Sequence, residues 1–105
     1  MTLPHLTAEQ RAAALDKAAD ARRRRAAFKE SLKRGELTLA DVITLGRDDE
    51  VVGRTHMLTV LESLPGIGKV KAARIMERVG ISPSRRVRGL GPKQRVALEK
   101  ELGGR

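Results

Sequence analysis

Apolar positions along the chain recur at helical spacing and nowhere alternate with polar ones, so the sequence predicts an all-α protein. A capping box, Thr7-Ala8-Glu9-Gln10, opens a stretch with no Pro or Gly before Gly35, and one long helix over residues 7–34 follows. Its apolar stripe is thin: Ala14, Ala18, Ala21, Phe28 and Leu32, interrupted by Arg25. Only Phe28 and Leu32 have much surface to bury, so the C-terminal part of the helix should dock and the N-terminal part project. A second cap signature at Thr38–Asp41 opens a short helix through Val42, Ile43 and Leu45, closed by Gly46. Asp48-Asp49-Glu50 can start a further turn carrying Val51 and Val52, ending at Gly53. From Thr55, Leu58, Leu61 and Leu64 share a face with Met57 and Val60 beside them, and the helix stops at Pro65-Gly66. Residues 69–79 read as helix with Val70, Ala73, Ile75, Met76 and Val79 inward, Gly80 as its left-handed terminator and Ile81 packing back. Residues 82–91 read as an ordered loop, and Pro92 opens a last helix through Val96, Leu98 and Leu102, ended by Gly103-Gly104. The expected organisation is an extended arm over residues 1–35 and a compact multi-helix domain over residues 36–105.

Composition narrows the function. The chain has 105 residues, one aromatic (Phe28) and no cysteine, which leaves a small aliphatic core and excludes disulfides and thiolate metal sites. Lys and Arg number 22 against 13 Asp and Glu, a net charge of +9. Most of that excess lies in residues 55–105, where only Glu62, Glu77, Glu99 and Glu101 are acidic. So basic a small domain carries the electrostatic footprint of a nucleic-acid binder. No apolar run approaches the roughly 18 residues of a membrane span, and residues 1–6 hold no signal-peptide core, so a soluble cytoplasmic protein is expected. His5 and His56 stand too far apart for metal-ligand spacing, and His56 reads as a solvated or capping residue. No nucleophile and base stand in a recognisable setting, so neither an enzyme nor a cofactor is expected. The lack of aromatics argues against base stacking on single strands and favours a duplex held by its backbone.

Two segments carry the chemistry. In Leu64-Pro65-Gly66-Ile67-Gly68-Lys69-Val70-Lys71, two glycines flank an aliphatic anchor between helices. Gly66 and Gly68 permit positive φ and leave no Cβ, so a phosphate can approach the backbone. The first amides of the following helix are unpaired, and its dipole favours an anion there. Ile67 anchors the turn, and Lys69 and Lys71 add charge; the bland alternative is a tight turn with solvated lysines. Arg85, Arg86 and Arg88 lie on a loop stiffened by Pro83 and bounded by Gly89 and Gly91, where they offer bidentate phosphate contacts or minor-groove insertion. Clustered there, they should contribute little to a core. The alternative is a solvated loop with an ion pair to Glu99 or Glu101. Lys93, just beyond, joins the same candidate set. Arg22, Arg23, Arg24 and Arg25 spread over about 300° of helix, so they cannot all face one partner. One or two can reach phosphate while others pair with Asp16, Asp20 or Glu30.

The hairpin segment resembles the helix–hairpin–helix signature of DNA-binding proteins. With Gly80-Ile81 and the loop to Pro92 it resembles the helix-two-turn-helix module of ribosomal protein S13 and of some base-excision glycosylases. Residues 6–15 (Leu6-Thr7-Ala8-Glu9-Gln10-Arg11-Ala12-Ala13-Ala14-Leu15), 64–70 and 84–91 (Ser84-Arg85-Arg86-Val87-Arg88-Gly89-Leu90-Gly91) resemble, in that order, the actinobacterial integration host factor family. That family is unrelated in fold to the β-armed heterodimer of the same name. The resemblance implies a nucleoid-associated protein that binds double-stranded DNA with little sequence preference and bends or compacts it. It also implies assistance to phage integrase complexes, and neither a membrane nor a small-molecule partner. An S13-like rRNA-binding protein is the first alternative, although that type has a long basic C-terminal extension where this sequence ends Gly103-Gly104-Arg105. A repair enzyme is the second, with Pro4 too far in to serve as a terminal amine nucleophile.

Overall fold

The structure, a computed structural model, describes residues 6–103; Pro4, His5 and Gly104 lie outside the described residues. Six α-helices follow one another: α1 (Ala8–Lys33), α2 (Leu39–Leu45), α3 (Glu50–Arg54), α4 (Met57–Ser63), α5 (Gly68–Val79) and α6 (Pro92–Glu101). A 3-10 turn, Val87–Gly89, lies between the last two, and no strand forms among the described residues. The fold is all-α.

Local chemistry sets the boundaries. Thr7 Oγ1 accepts from the Gln10 amide at 3.0 Å while Gln10 Oε1 accepts from the Thr7 amide at 2.9 Å, the reciprocal box expected at the start of α1. Thr38 and Asp41 repeat it at α2, where the Thr38 amide donates to Asp41 Oδ2 at 2.9 Å. That bond holds the Asp41 carboxyl below the ordinary carboxylate range, with the Thr38 side chain adding to it. Asp49 is the N-cap of α3, which runs one residue past the expected Gly53 stop to Arg54. Gly80 takes φ +78° at the end of α5, and the Ile81 amide donates to Met76 O at 2.9 Å, so Ile81 folds back into the core.

Leu32, Leu39, Met57, Leu61, Met76 and Leu98 are the large, fully enclosed side chains of the core. Removing one such leucine side chain costs about 2–5 kcal/mol. α1 packs on α3 and α4. Of its residues only Phe28 and Leu32 are buried, while everything from Ala8 to Ala18 is exposed. The ion pair Arg24–Asp49, at 3.1 Å, also joins α1 to α3, but an exposed pair contributes about 0.2–1 kcal/mol. Phe28 and Leu32 therefore decide the docking.

Two expectations need correction, in α5 and in α6, and the alternative ion pair of the arginine loop does not form among the described residues. In α5 the buried residues are Ala72, Ile75 and Met76, while Ala73 is exposed and Val70 is 68% exposed. At about 100° per residue, Ala72, Ile75, Met76 and Val79 form one stripe, and Val70 falls on the opposite face. Val96 of α6 is likewise 51% exposed. Glu99 and Glu101 pair with Arg95 (3.0 Å) and Arg78 (2.8 Å), their helical and cross-helical neighbours, and not with the arginine loop.

Candidate nucleic-acid interface

The turn from α4 to α5 has the geometry its glycines suggest. Gly66 and Gly68 take φ of +77° and +70°. Ile67 between them is buried, and its amide donates to Leu64 O at 3.3 Å, which pins the turn to the end of α4. Ile67 occupies the N-cap of α5 without a side-chain cap, so no side chain of the protein caps the first-turn amides. No atom lies within 4 Å of where a Gly68 Cβ would stand. The approach is open, and the positive φ alone restricts that position to glycine. Lys69 and Lys71 are exposed and form no ion pair among the described residues. Pro65 and Val70 complete the exposed rim; Val70 adds a branched apolar side chain between the lysines. Lys71 and Arg74 line a groove of about 430 Å³ that Arg78 and Glu101 close at the α6 side.

The arginine loop is built differently. Its main chain is tied to the α3–α4 junction: the Met57 amide donates to Arg85 O at 2.8 Å and the Val87 amide donates to Thr55 O at 2.9 Å. His56 and Arg86 thus face each other across a single antiparallel bridge. His56 is the N-cap of α4 but makes no side-chain cap bond. The three guanidiniums then part company. Arg85 Nη1 donates to Gly89 O at 3.1 Å, bracing its own turn. Arg88, with its side chain 45% exposed, lies along α2 and α3, with Nε donating to Gly46 O at 3.2 Å, Nη2 to Asp49 O at 3.5 Å, and Nη1 3.7 Å from Glu50 Oε1. The expectation that all three contribute little to the scaffold fails at Arg88. Arg86 is exposed, and its side chain makes no hydrogen bond or ion pair among the described residues. Lys93, on the first turn of α6, is also exposed and unpaired there.

Arg86 stands between two basic concavities. One, about 530 Å³, is lined by Arg54, Arg85, Arg88, Ser82 and Ser84. The other, about 600 Å³, lies under α1 and brings Lys17, Arg24, Arg25 and Lys29 opposite Arg54 and His56. The run of four arginines is therefore divided: Arg24 and Arg25 line this groove, while Arg22 and Arg23 do not. Arg23 lies 3.8 Å from Asp20, and Arg24 pairs with Asp49; the candidate partners Asp16 and Glu30 take no part in pairing this run. Sequence reasoning missed Lys17, Lys29 and Arg54. A wheel drawn around Phe28 carries the signal for the first two, since Lys17, Arg24, Arg25 and Lys29 flank that buried residue's face. Arg54 shows only when the chain is folded. Among the described residues no group of three or more His, Cys, Asp or Glu gathers as a metal site, and no helix is long and apolar enough to cross a membrane.

Two glycine-hinged helices, a left-handed exit at Gly80 and a return loop to a third helix, α6, make up a helix-two-turn-helix unit, and residues 32–102 match the S13-like H2TH domain family. The chain is 57% identical to the integration host factor of Streptomyces coelicolor, over 98% of this chain and 96% of that protein. It is 53% identical to that of Mycobacterium tuberculosis, over 98% of both. A solved structure of sIHF bound to an 8-base-pair palindromic DNA superposes with a TM-score of 0.79 at 53% identity, covering 84% of this chain and 99% of that one. The chain belongs to the integration host factor family.

Proposed function

We propose that this protein binds duplex DNA through its sugar–phosphate backbone with little sequence preference, bends or compacts it within the nucleoid, and assists integrase-type recombination. The observation that carries the reading is the DNA-bound relative, whose 53% identical chain matches 84% of this one. The geometry supports a division of tasks. The uncapped amides of residues 68–70, with Lys69 and Lys71, form an anion cradle at the N-terminus of α5. Pro65, Gly66, Ile67 and Val70 shape its rim. Arg85 and Arg86, with Gly89 in the same loop and Lys93 on the first turn of α6, meet a neighbouring stretch of backbone. Arg24 and Arg25 extend the positive surface along α1, so residues 1–35 act as a basic arm to the binding domain of residues 36–105. Two stretches of backbone held by one small protein favour a curved path for the duplex, since curvature lets a single duplex reach both.

Binding of this kind releases counterions, so log K falls linearly with log salt, by about 0.9 per phosphate contact. The hairpin and loop together make roughly six such contacts, which sets a slope near −5. A titration of duplex DNA, single-stranded DNA and structured RNA of equal length, repeated across salt, tests this directly. The duplex should bind most tightly. Preference for structured RNA favours the S13-like alternative, and a duplex slope shallower than about −2 means that the basic surface is not what binds.

A further inference from the structure

We infer that Arg88 is a positioning residue of the arginine loop, a strut that fixes where Arg86 points, and that it does not itself hold DNA. The inference rests on the duplex-binding reading above and assigns different work to the three neighbouring arginines. Three of the Arg88 guanidinium nitrogens are committed to the protein: Nε to Gly46 O, Nη2 to Asp49 O and Nη1 toward Glu50 Oε1. The two carbonyls flank the α2–α3 connection: Gly46 O stands at the C-cap of α2, beyond the reach of a helical donor, while Asp49 O, the N-cap carbonyl of α3, also accepts from the Gly53 amide at 2.8 Å. One planar fork reaches both and so ties the loop to each helix end, a geometry that a lysine ammonium on a flexible stem does not reproduce. The seat is built to fit. A Cβ on Gly53 would stand 2.8 Å from Arg88 Nε and 2.8 Å from Nη2, and one on Gly46 would stand 2.5 Å from Val87 Cγ1. Both glycines leave room for the loop to lie flat against α2 and α3.

The consequence for Arg86 follows from spacing. The entry to the loop is held by the bridge between Arg85–Val87 and Thr55–Met57. Its exit, one residue past the 3-10 turn's first position, is held by Arg88. Between those two fixings Arg86 projects with its donors free. Fixing a backbone before binding removes an entropic cost that a loose loop meets on contact with its ligand. The bonds of Arg88 to Gly46 O and Asp49 O hold its guanidinium against α2 and α3, which limits its reach toward a phosphate.

The test is the affinity of the full chain for a duplex of about 20 base pairs, measured by fluorescence anisotropy from roughly 50 to 200 mM salt. The variants are Arg88→Ala, Arg88→Lys, Arg86→Ala and Arg86→Lys, each with its thermal melt. Arg88→Ala and Arg88→Lys should both weaken binding by about 5–10-fold and lower Tm while keeping the parent's salt slope, because the phosphate contacts remain and only their preorganisation is lost. Arg86→Ala should flatten the slope by about 0.9 with Tm unchanged, and Arg86→Lys should stay near the parent. Arg88→Lys retains the charge and most of the stem, so it reports even where Arg88→Ala does not fold. Parent-like affinity for Arg88→Lys, or a slope flattened by about one in Arg88→Ala, makes Arg88 a direct contact and overturns the inference. Lower Tm with unchanged affinity in both Arg88 variants makes it a fold residue only, which also overturns it. A parent that does not bind duplex overturns the duplex-binding reading, and the inference falls with it.

Discussion

The hairpin and the arginine loop present positive charge at the surface by opposite means. At the hairpin the backbone itself is the donor: Gly66 and Gly68 bend it, Ile67 pins it, and the uncapped start of α5 leaves amides without partners. At the loop the backbone is tied to Thr55 and Met57 by two hydrogen bonds, and side chains do the presenting. A backbone donor is fixed wherever its φ and ψ are fixed, so the hairpin needs few supporting contacts. A guanidinium at the end of a flexible stem has to be aimed, and the loop accordingly spends one arginine on bracing its own turn and another on α2 and α3. Conformation is what substitutions should damage at the hairpin, and charge is what they should damage at Arg86.

The largest effect is expected from Gly68→Val. It alters no charge, and no atom crowds the added Cβ, but φ +70° is costly for a β-branched residue. Duplex affinity should fall by at least about tenfold in a variant whose circular dichroism matches the parent, equivalent to roughly 1.4 kcal/mol, because the amides lose their aim. Binding at parental strength would reduce the hairpin to a turn. Next comes Arg86→Ala, for which the expected change is a salt slope shallower by about one contact and unaltered melting. An altered melt would mean that Arg86 also belongs to the scaffold, and the contrast between the two regions would blur. Lys69→Ala should cost less than Gly68→Val, since it deletes one solvated charge and leaves the amides in place. Were it the more damaging of the two in a side-by-side titration, charge and not backbone geometry would be the hairpin's contribution.

The smallest effect lies outside both regions. Asp41 is held below its ordinary pKa by the Thr38 amide, so ionised Asp41 stabilises the fold at pH values above its unfolded pKa of about 3.9. That contribution fades as pH falls through the lower folded pKa. Asp41→Asn should therefore lower Tm slightly at pH 7 and narrow to no difference from the parent in strong acid, measured as melts from pH 7 to pH 2. Affinity for duplex at neutral pH should not change, which separates a cap from a binding residue.

What could be read from the sequence was local, and what could not was remote. The two capping boxes, the run without Pro or Gly to Gly35 and the Gly80–Ile81 exit each lie within a few residues of the boundary they set, so the helix ends were legible. Ile67 as an anchor was legible for the same reason. Val70 was misplaced because its apolar character suggested burial while its angle on the wheel put it outside. Arg88 could not be read at all: its acceptors lie 42 and 39 positions upstream, and nothing in Arg85-Arg86-Val87-Arg88 tells one guanidinium from the next. The groove under α1 depends in the same way on Arg54 and Arg86 arriving opposite a helix that precedes them by tens of residues.

The long first helix also divides the molecule thermally. From Ala8 to Ala18 no residue of α1 is buried, so that part holds its shape by local means: Ala-rich propensity, the Thr7–Gln10 box and the Arg11 guanidinium donating to Leu6 O at 3.4 Å. Beyond Phe28 the same helix shares the fate of Leu39, Met57 and Leu61. Heating should then act on two materials within one rod. Its outer turns loosen gradually, as an isolated peptide does, while the inner turns persist until the whole aliphatic core gives way at once. The arm thus shortens with temperature before the protein unfolds, and the reach of Lys17 and of its neighbours over the groove shortens with it.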